Sequence, residues 1–221
     1  LDFEDAAINA FKEIVPEVTL RGCHFHFSMA FNKQWKAKSM HKYENDAAID
    51  DWKTRLRALF FLPTSLYAKS GVMKEPVAPD HPAFDLCSSF LDYYKKQWLA
   101  YPETLTNKFG QIINRTSNAT ESFFSGLGRS LNHGRLPHLV DLIEYIHDKE
   151  LVSYLHLTSA RDDPDPFTQW QSKHVREQRA SAAETMDRFN DRFRSSTPLL
   201  KREILKYLDE MGKRHTTDKS H

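Results

Sequence analysis

Apolar residues recur along most of this chain at helical spacing. Phe3, Ala7, Ala10, Phe11 and Ile14 share one face and predict a helix over 3–15, with Pro16 beyond its end. Val18-Thr19-Leu20, β-branched and apolar, predicts a short strand ending at Gly22. Helical spacing returns from about Cys23 to Lys38, with Phe25, Met29, Asn32 and Trp35/Lys36 on alternate faces. A stripe of Ile49, Trp52, Leu56, Leu59 and Phe60 predicts a helix over 45–61, ahead of Pro63. Gly71, Pro76, Pro79 and Pro82 mark a loop over 71–82. The best amphipathic pattern is Phe84, Cys87, Leu91, Tyr94 and Trp98, which predicts a helix over 83–99.

Farther along, residues 101–116 read as a polar linker. A helix is predicted over 118–132, stopped by His133-Gly134. Pro137 opens another, running to about Leu157. Asp162-Asp163-Pro164-Asp165-Pro166 breaks the pattern. Charged helical patterns then cover 167–194 and 198–211, before a polar tail from Lys213 that is expected to be disordered. The pattern alone therefore predicts a mainly α chain with one or two strands at its beginning.

Composition narrows this picture. Hydrophobic residues make up 40% and charged residues 28% of the 221 positions, enough for a sizeable core under a charged surface. Lys and Arg total 31 against 30 Asp and Glu, so the average charge gives no sign of a polyanion partner, although a local basic groove is compatible with it. Two cysteines, Cys23 and Cys87, make no disulfide framework and suit a reducing compartment. No stretch approaches the length of a membrane span, so no membrane partner is expected. The chain opens on Leu1-Asp2 without an initiator Met, and further sequence is expected to precede it.

Two carboxylates stand at positions suited to metal chemistry. Asp2, in Asp2-Phe3-Glu4, lies at the junction before a predicted helix. Its structural reading is a helix N-cap, and taken alone that reading is the better one. Glu121 lies in Arg115-Thr116-Ser117-Asn118-Ala119-Thr120-Glu121, where Asn118 and Glu121 have the spacing of a capping box. Cys23, His24 and His26 cluster in Gly22-Cys23-His24-Phe25-His26, but no second ligand pair has zinc-finger spacing. A zinc site is not expected; Cys23 is expected to be buried, with one His making a polar contact. No nucleophile elbow, phosphate-binding glycine loop or dinucleotide fingerprint is present.

The order of these pieces resembles the catalytic block of Mutator-like (MULE) DDE transposases. Asp2-Phe3-Glu4, Ala10, Val15-Pro16 and Gly22-Cys23-x-x-His26 follow that family's Asp-Phe-Glu and Gly-Cys-x-x-His blocks. Tyr43, Trp52 and Leu59-Phe60-Phe61-Leu62-Pro63, then Tyr93-Tyr94 and Trp98, resemble its helical insertion. Arg115-Thr116-Ser117-Asn118-Ala119-Thr120-Glu121 resembles its Arg-Thr-Asn-Asn-x-x-Glu block. Three departures stand out: Ser117 replaces the first Asn, Phe124 replaces a later His, and the Trp-Asn ahead of the block appears only as Thr106-Asn107. The likeness extends over about residues 1–157.

The resemblance implies the later part of an RNase H-like α/β catalytic domain, with an all-helical insertion between the second Asp and the Glu. Its parts would be a partial core over 1–40, the insertion over 41–114, core helices carrying Glu121 over 115–158 and a charged helical extension over 159–221. Asp2 and Glu121 would be the second and third carboxylates of the triad, holding Mg²⁺ or Mn²⁺ for two-metal strand cleavage and transfer. The first Asp would lie upstream of Leu1, so this chain alone is expected not to cut DNA. Cys23 and His26 would be structural or near DNA, and Arg115 and Asn118 would support DNA or the active site. The implied partner is DNA, at transposon ends and target, with possible homo-oligomers and a nuclear location. Two other readings compete: a domesticated, non-catalytic DNA-binding or regulatory derivative, and a helical interaction module using residues 167–211.

Overall fold

The computed structural model describes residues 2–111, 125–126, 128–129, 138–162 and 173–216. Nine helices are described: α1 (Asp5–Ile14), α2 (His24–Ala37), α3 (Ala47–Ala58), α4 (Tyr67–Ser70), α5 (Phe84–Trp98), α6 (Glu103–Thr106), α7 (Leu139–Asp162), α8 (Lys173–Arg194) and α9 (Lys201–Thr216). Contacts group Leu1–Thr116 with Arg179–His221 as one compact unit and Ser117–Gln178 as another.

The first unit is built on interlocked aromatic rings. Phe27, Phe31 and Trp35 project from one face of α2 and are buried. Phe27 meets Phe60 and Trp98 edge-on, at centroid distances of 4.8 and 4.9 Å. Phe90 of α5 meets both Phe31 and Trp35 at 5.0 Å. Such edge-to-face pairs add roughly 0.5–1.5 kcal/mol each beyond the area they bury. The stripe Ile49, Trp52, Leu56, Leu59 and Phe60 is buried as its spacing predicts, and so is Cys87, Leu91, Tyr94 and Trp98. Two of the buried polar tips bond to backbone carbonyls, whereas Trp35 Nε1 has no hydrogen-bond partner among the described residues. Tyr94 donates to the Leu56 carbonyl at 3.1 Å, and Trp52 Nε1 donates to the Val72 carbonyl at 2.8 Å.

Helix ends follow local chemistry. Asp46 caps α3, its Oδ1 accepting from Ala48 and Ile49 N–H at 2.9 and 3.1 Å, which places the start two residues after the predicted one. The helix tightens into a 3₁₀ turn at Leu59–Phe61 before Pro63.

The last helix closes the same core. α9 packs chiefly on α3 and buries Ile204, Leu208 and Met211. Gly212 permits the approach: a Cβ there would lie 2.6 Å from the Thr54 carbonyl oxygen. Arg55 clasps Asp209 with two bonds of 2.7 and 2.9 Å, and Tyr207 donates to the Phe61 carbonyl at 2.7 Å.

Three expectations are corrected. Val18-Thr19-Leu20 forms no strand, and there is none among the described residues. Val18 and Thr19 are exposed between two helices, with no extended neighbour to complete a ladder. The spacing in α2 leaves its buried face open; that face is His24, Phe27, Phe31 and Trp35, while Phe25 and Met29 point outward. The polar linker contains α6 and buries Leu105, Thr106 and Lys108. Finally, α9 continues to Thr216, into the tail expected to be disordered. The described residues are mainly helical, and the one or two strands expected at the beginning are not seen among them.

Candidate functional site

The structure brings three sequence-distant segments together around Gly22. Gly22 N–H donates to the Leu105 carbonyl at 2.8 Å. The Lys108 ammonium donates to the carbonyls of Gly22 and Leu105, and its own backbone N–H reaches the Phe60 carbonyl at 2.6 Å. Arg21 Nη1 donates to Gln111 Oε1 at 3.3 Å. The chain therefore leaves at residues 21–23, builds the helical core and returns to its point of departure at 105–111.

Residues 2–4 complete the junction. Phe3 takes a left-handed backbone conformation at φ 69°, costly for a bulky side chain. Its ring holds it there, edge-on to Trp98 at 5.1 Å and tilted against Tyr101 at 5.5 Å. The ring also lies on Gly22, where any Cβ would overlap it. Behind it, Tyr101 donates to Asp5 Oδ1 at 3.3 Å.

This geometry bears on Asp2 directly. α1 starts at Asp5, with Glu4 at the cap position, and no side chain caps it. The N-cap reading of Asp2 is thus overturned: the turned Phe3 separates its carboxylate from the helix. Asp2 is exposed and makes no hydrogen bond or ion pair among the described residues.

Lys108 was not singled out by sequence. Its side chain is 1% exposed, and loss of solvent pushes its ammonium down to about 8, with Arg21 adding to the effect and Cys23 opposing it. Asn107 ties its own segment to the core. Its amide donates to the Leu62 carbonyl at 2.8 Å, while its oxygen accepts from Phe109 N–H at 2.8 Å.

Cys23 is buried at the cap position of α2, and His26 lies one turn into that helix, half-buried. The buried imidazole is His24, stacked edge-on to Phe61 at 4.7 Å with Nε2 3.5 Å from Ser28 Oγ. Cys87 sits in the α5 core, where burial pushes its thiol up to about 11, away from the thiolate that metals require. Glu121, Arg115 and Asn118 lie outside the described residues. Among the described residues no three His, Cys, Asp or Glu side chains are grouped to hold a metal ion, and no helix is long and apolar enough to cross a membrane.

No protein-family model matches the chain, and neither a curated protein nor a solved structure matches it.

Proposed function

We propose that this chain is the later part of a Mutator-like DDE transposase catalytic domain, in which Asp2 and Glu121 are two of three carboxylates that hold Mg²⁺ or Mn²⁺. In this reading the complete protein cuts and joins DNA strands. The fold in this reading is RNase H-like, interrupted by a helical insertion, and the protein acts on DNA in the nucleus.

The observation that carries the reading is the junction at Gly22. A helical module inserted into another fold needs adjacent entry and exit; the Gly22–Leu105 and Lys108–Gly22 bonds, which close around α2 as well as most of the 41–114 span, support that reading. Support also comes from Asp2, which is exposed and stands next to a backbone outlier; strain of this kind concentrates where side chains are aimed for function. Carboxylate oxygens are the hard donors that Mg²⁺ and Mn²⁺ prefer. When bound, the ions supply activation of the attacking oxygen and stabilisation of the leaving one. The chain's own part is to present Asp2 from a fixed backbone and to bring the segment leading toward Glu121 back beside it. Cys23 and His26 serve the α2 junction, and Arg115 and Asn118 support the Glu121 segment.

The test is metal-dependent strand cleavage by the complete transposase. Asp2→Ala and Glu121→Ala are each expected to abolish cleavage while leaving DNA binding intact. Cleavage retained by either variant would reject that residue as a ligand.

A further inference from the structure

Charge is unevenly placed on this nearly neutral chain. Between Glu17 and Glu44 there is no acidic residue, while Arg21, Lys33, Lys36, Lys38 and Lys42 all fall in that interval. The remaining residues are consequently net acidic. Most of this tract is α2 and the 3₁₀ turn Met40–Tyr43 that follows it. With Phe27, Phe31 and Trp35 committed to the core, the opposite side of α2 presents Phe25, Met29, Lys33 and Lys36 to solvent. Spacings of four, four and three residues align these four side chains in one stripe about 16 Å long. His41 and Lys42 follow in the next turn of chain and are exposed.

Neighbouring acids do little to neutralise the stripe. Glu44 is engaged by Lys53 at 2.6 Å. Lys38 turns away to Ser89 of α5, between the exposed Asp85 and Asp92, and is not counted in the surface. The stripe also has a definite origin. α2 begins two residues after Gly22, which holds the Phe3 ring, and runs away from that junction.

We infer that the outer face of α2, with His41 and Lys42, is a docking track for the phosphate backbone of duplex DNA, leading away from Asp2. Lys33, Lys36 and Lys42 neutralise phosphates, and Phe25 and Met29 provide an apolar edge for sugars at the end nearest the carboxylate. The choice of DNA over other polyanions rests on the proposed function; the basic face does not.

Fluorescence anisotropy of a labelled duplex with the full 221-residue chain tests this, across a salt series and without divalent metal. Under those conditions the carboxylates contribute nothing favourable, so the outcome is independent of the cleavage assay. The triple variant Lys33→Glu/Lys36→Glu/Lys42→Glu is expected to bind at least about tenfold more weakly, with a log–log salt slope shallower by about 3. A control with the same charge change at exposed sites elsewhere, Lys69→Glu/Lys74→Glu/Lys206→Glu, is expected to keep most of the affinity and slope. Circular dichroism and thermal melting establish that both variants are folded. Equal loss in the two triples, no loss in the first, no duplex binding by the unmodified chain, or tighter binding of polyglutamate than of DNA would each overturn the inference.

Discussion

α2, α3, α5 and α9 each bury an apolar face, whereas α1 and α7 leave theirs largely in solvent. Phe27 of α2 is 1% exposed and Leu56 of α3 fully buried; Ile14 of α1 is 77% exposed and Leu139 of α7 70%. The difference does not lie in apolar content. α7 exposes Leu139, Val140, Ile143, Ile146, Leu151, Val152, Tyr154 and Leu155, a set that would serve a core well. A helix apolar on most sides normally lies inside a larger structure. Apolar content alone therefore does not decide which helix faces are buried.

The largest expected effect separates the two groups directly. Phe27→Ala should cost about 3–5 kcal/mol of stability by chemical denaturation, and Ile143→Ala less than about 0.5. A cost at Ile143 approaching that at Phe27 would break the comparison. Next in size is a pH effect at the junction. The folded Lys108 ammonium is displaced from 10.5 to about 8, so the unfolded chain binds the extra proton between those values. Stability of the native chain should therefore rise with pH from about 8 to 10.5, relative to Lys108→Met, by on the order of 3 kcal/mol. A flat difference across that window would mean that Lys108 is not held in a dry site.

Two glycines sharpen the contrast at smaller scale. Gly212→Ala forces a methyl group into the Thr54 backbone and should cost about 1–3 kcal/mol despite the gain in helix propensity. Gly128 has open space around it, so Gly128→Ala should be neutral or stabilising by up to about 1 kcal/mol. The smallest effect is expected at the Arg55–Asp209 clasp. Its side chains are 23% and 27% exposed, and a double-mutant cycle should give about 1 kcal/mol, declining with salt.

How much of this was legible in the sequence depended on local ambiguity. The stripes of α3 and α5 were readable because polar residues occupy their other faces. In α2 the spacing alone does not pick the buried face, because Phe25, Phe27, Met29 and Phe31 offer two apolar stripes at once. Only the rings of Phe60, Phe90 and Trp98, distant in sequence, decide between them. Val18-Thr19-Leu20 has strand propensity, yet propensity yields no strand without a partner. Lys108 looked like an ordinary residue of a polar linker, since no local pattern announces that carbonyls from residues 22 and 105 will surround it. For the candidate site, the sequence identified Asp2 as a carboxylate of interest but favoured a cap; the turned Phe3 that removes it from the helix is a tertiary effect.

The most direct test of the central claim is Mn²⁺ titration of the isotopically labelled chain, followed by paramagnetic broadening of its backbone signals. If Asp2 and Glu121 converge on one metal site, signals near Asp2 and near Glu121 will broaden together at the same Mn²⁺ concentration, and Asp2→Asn will diminish both. Broadening at one carboxylate without the other, or at neither, would contradict the account.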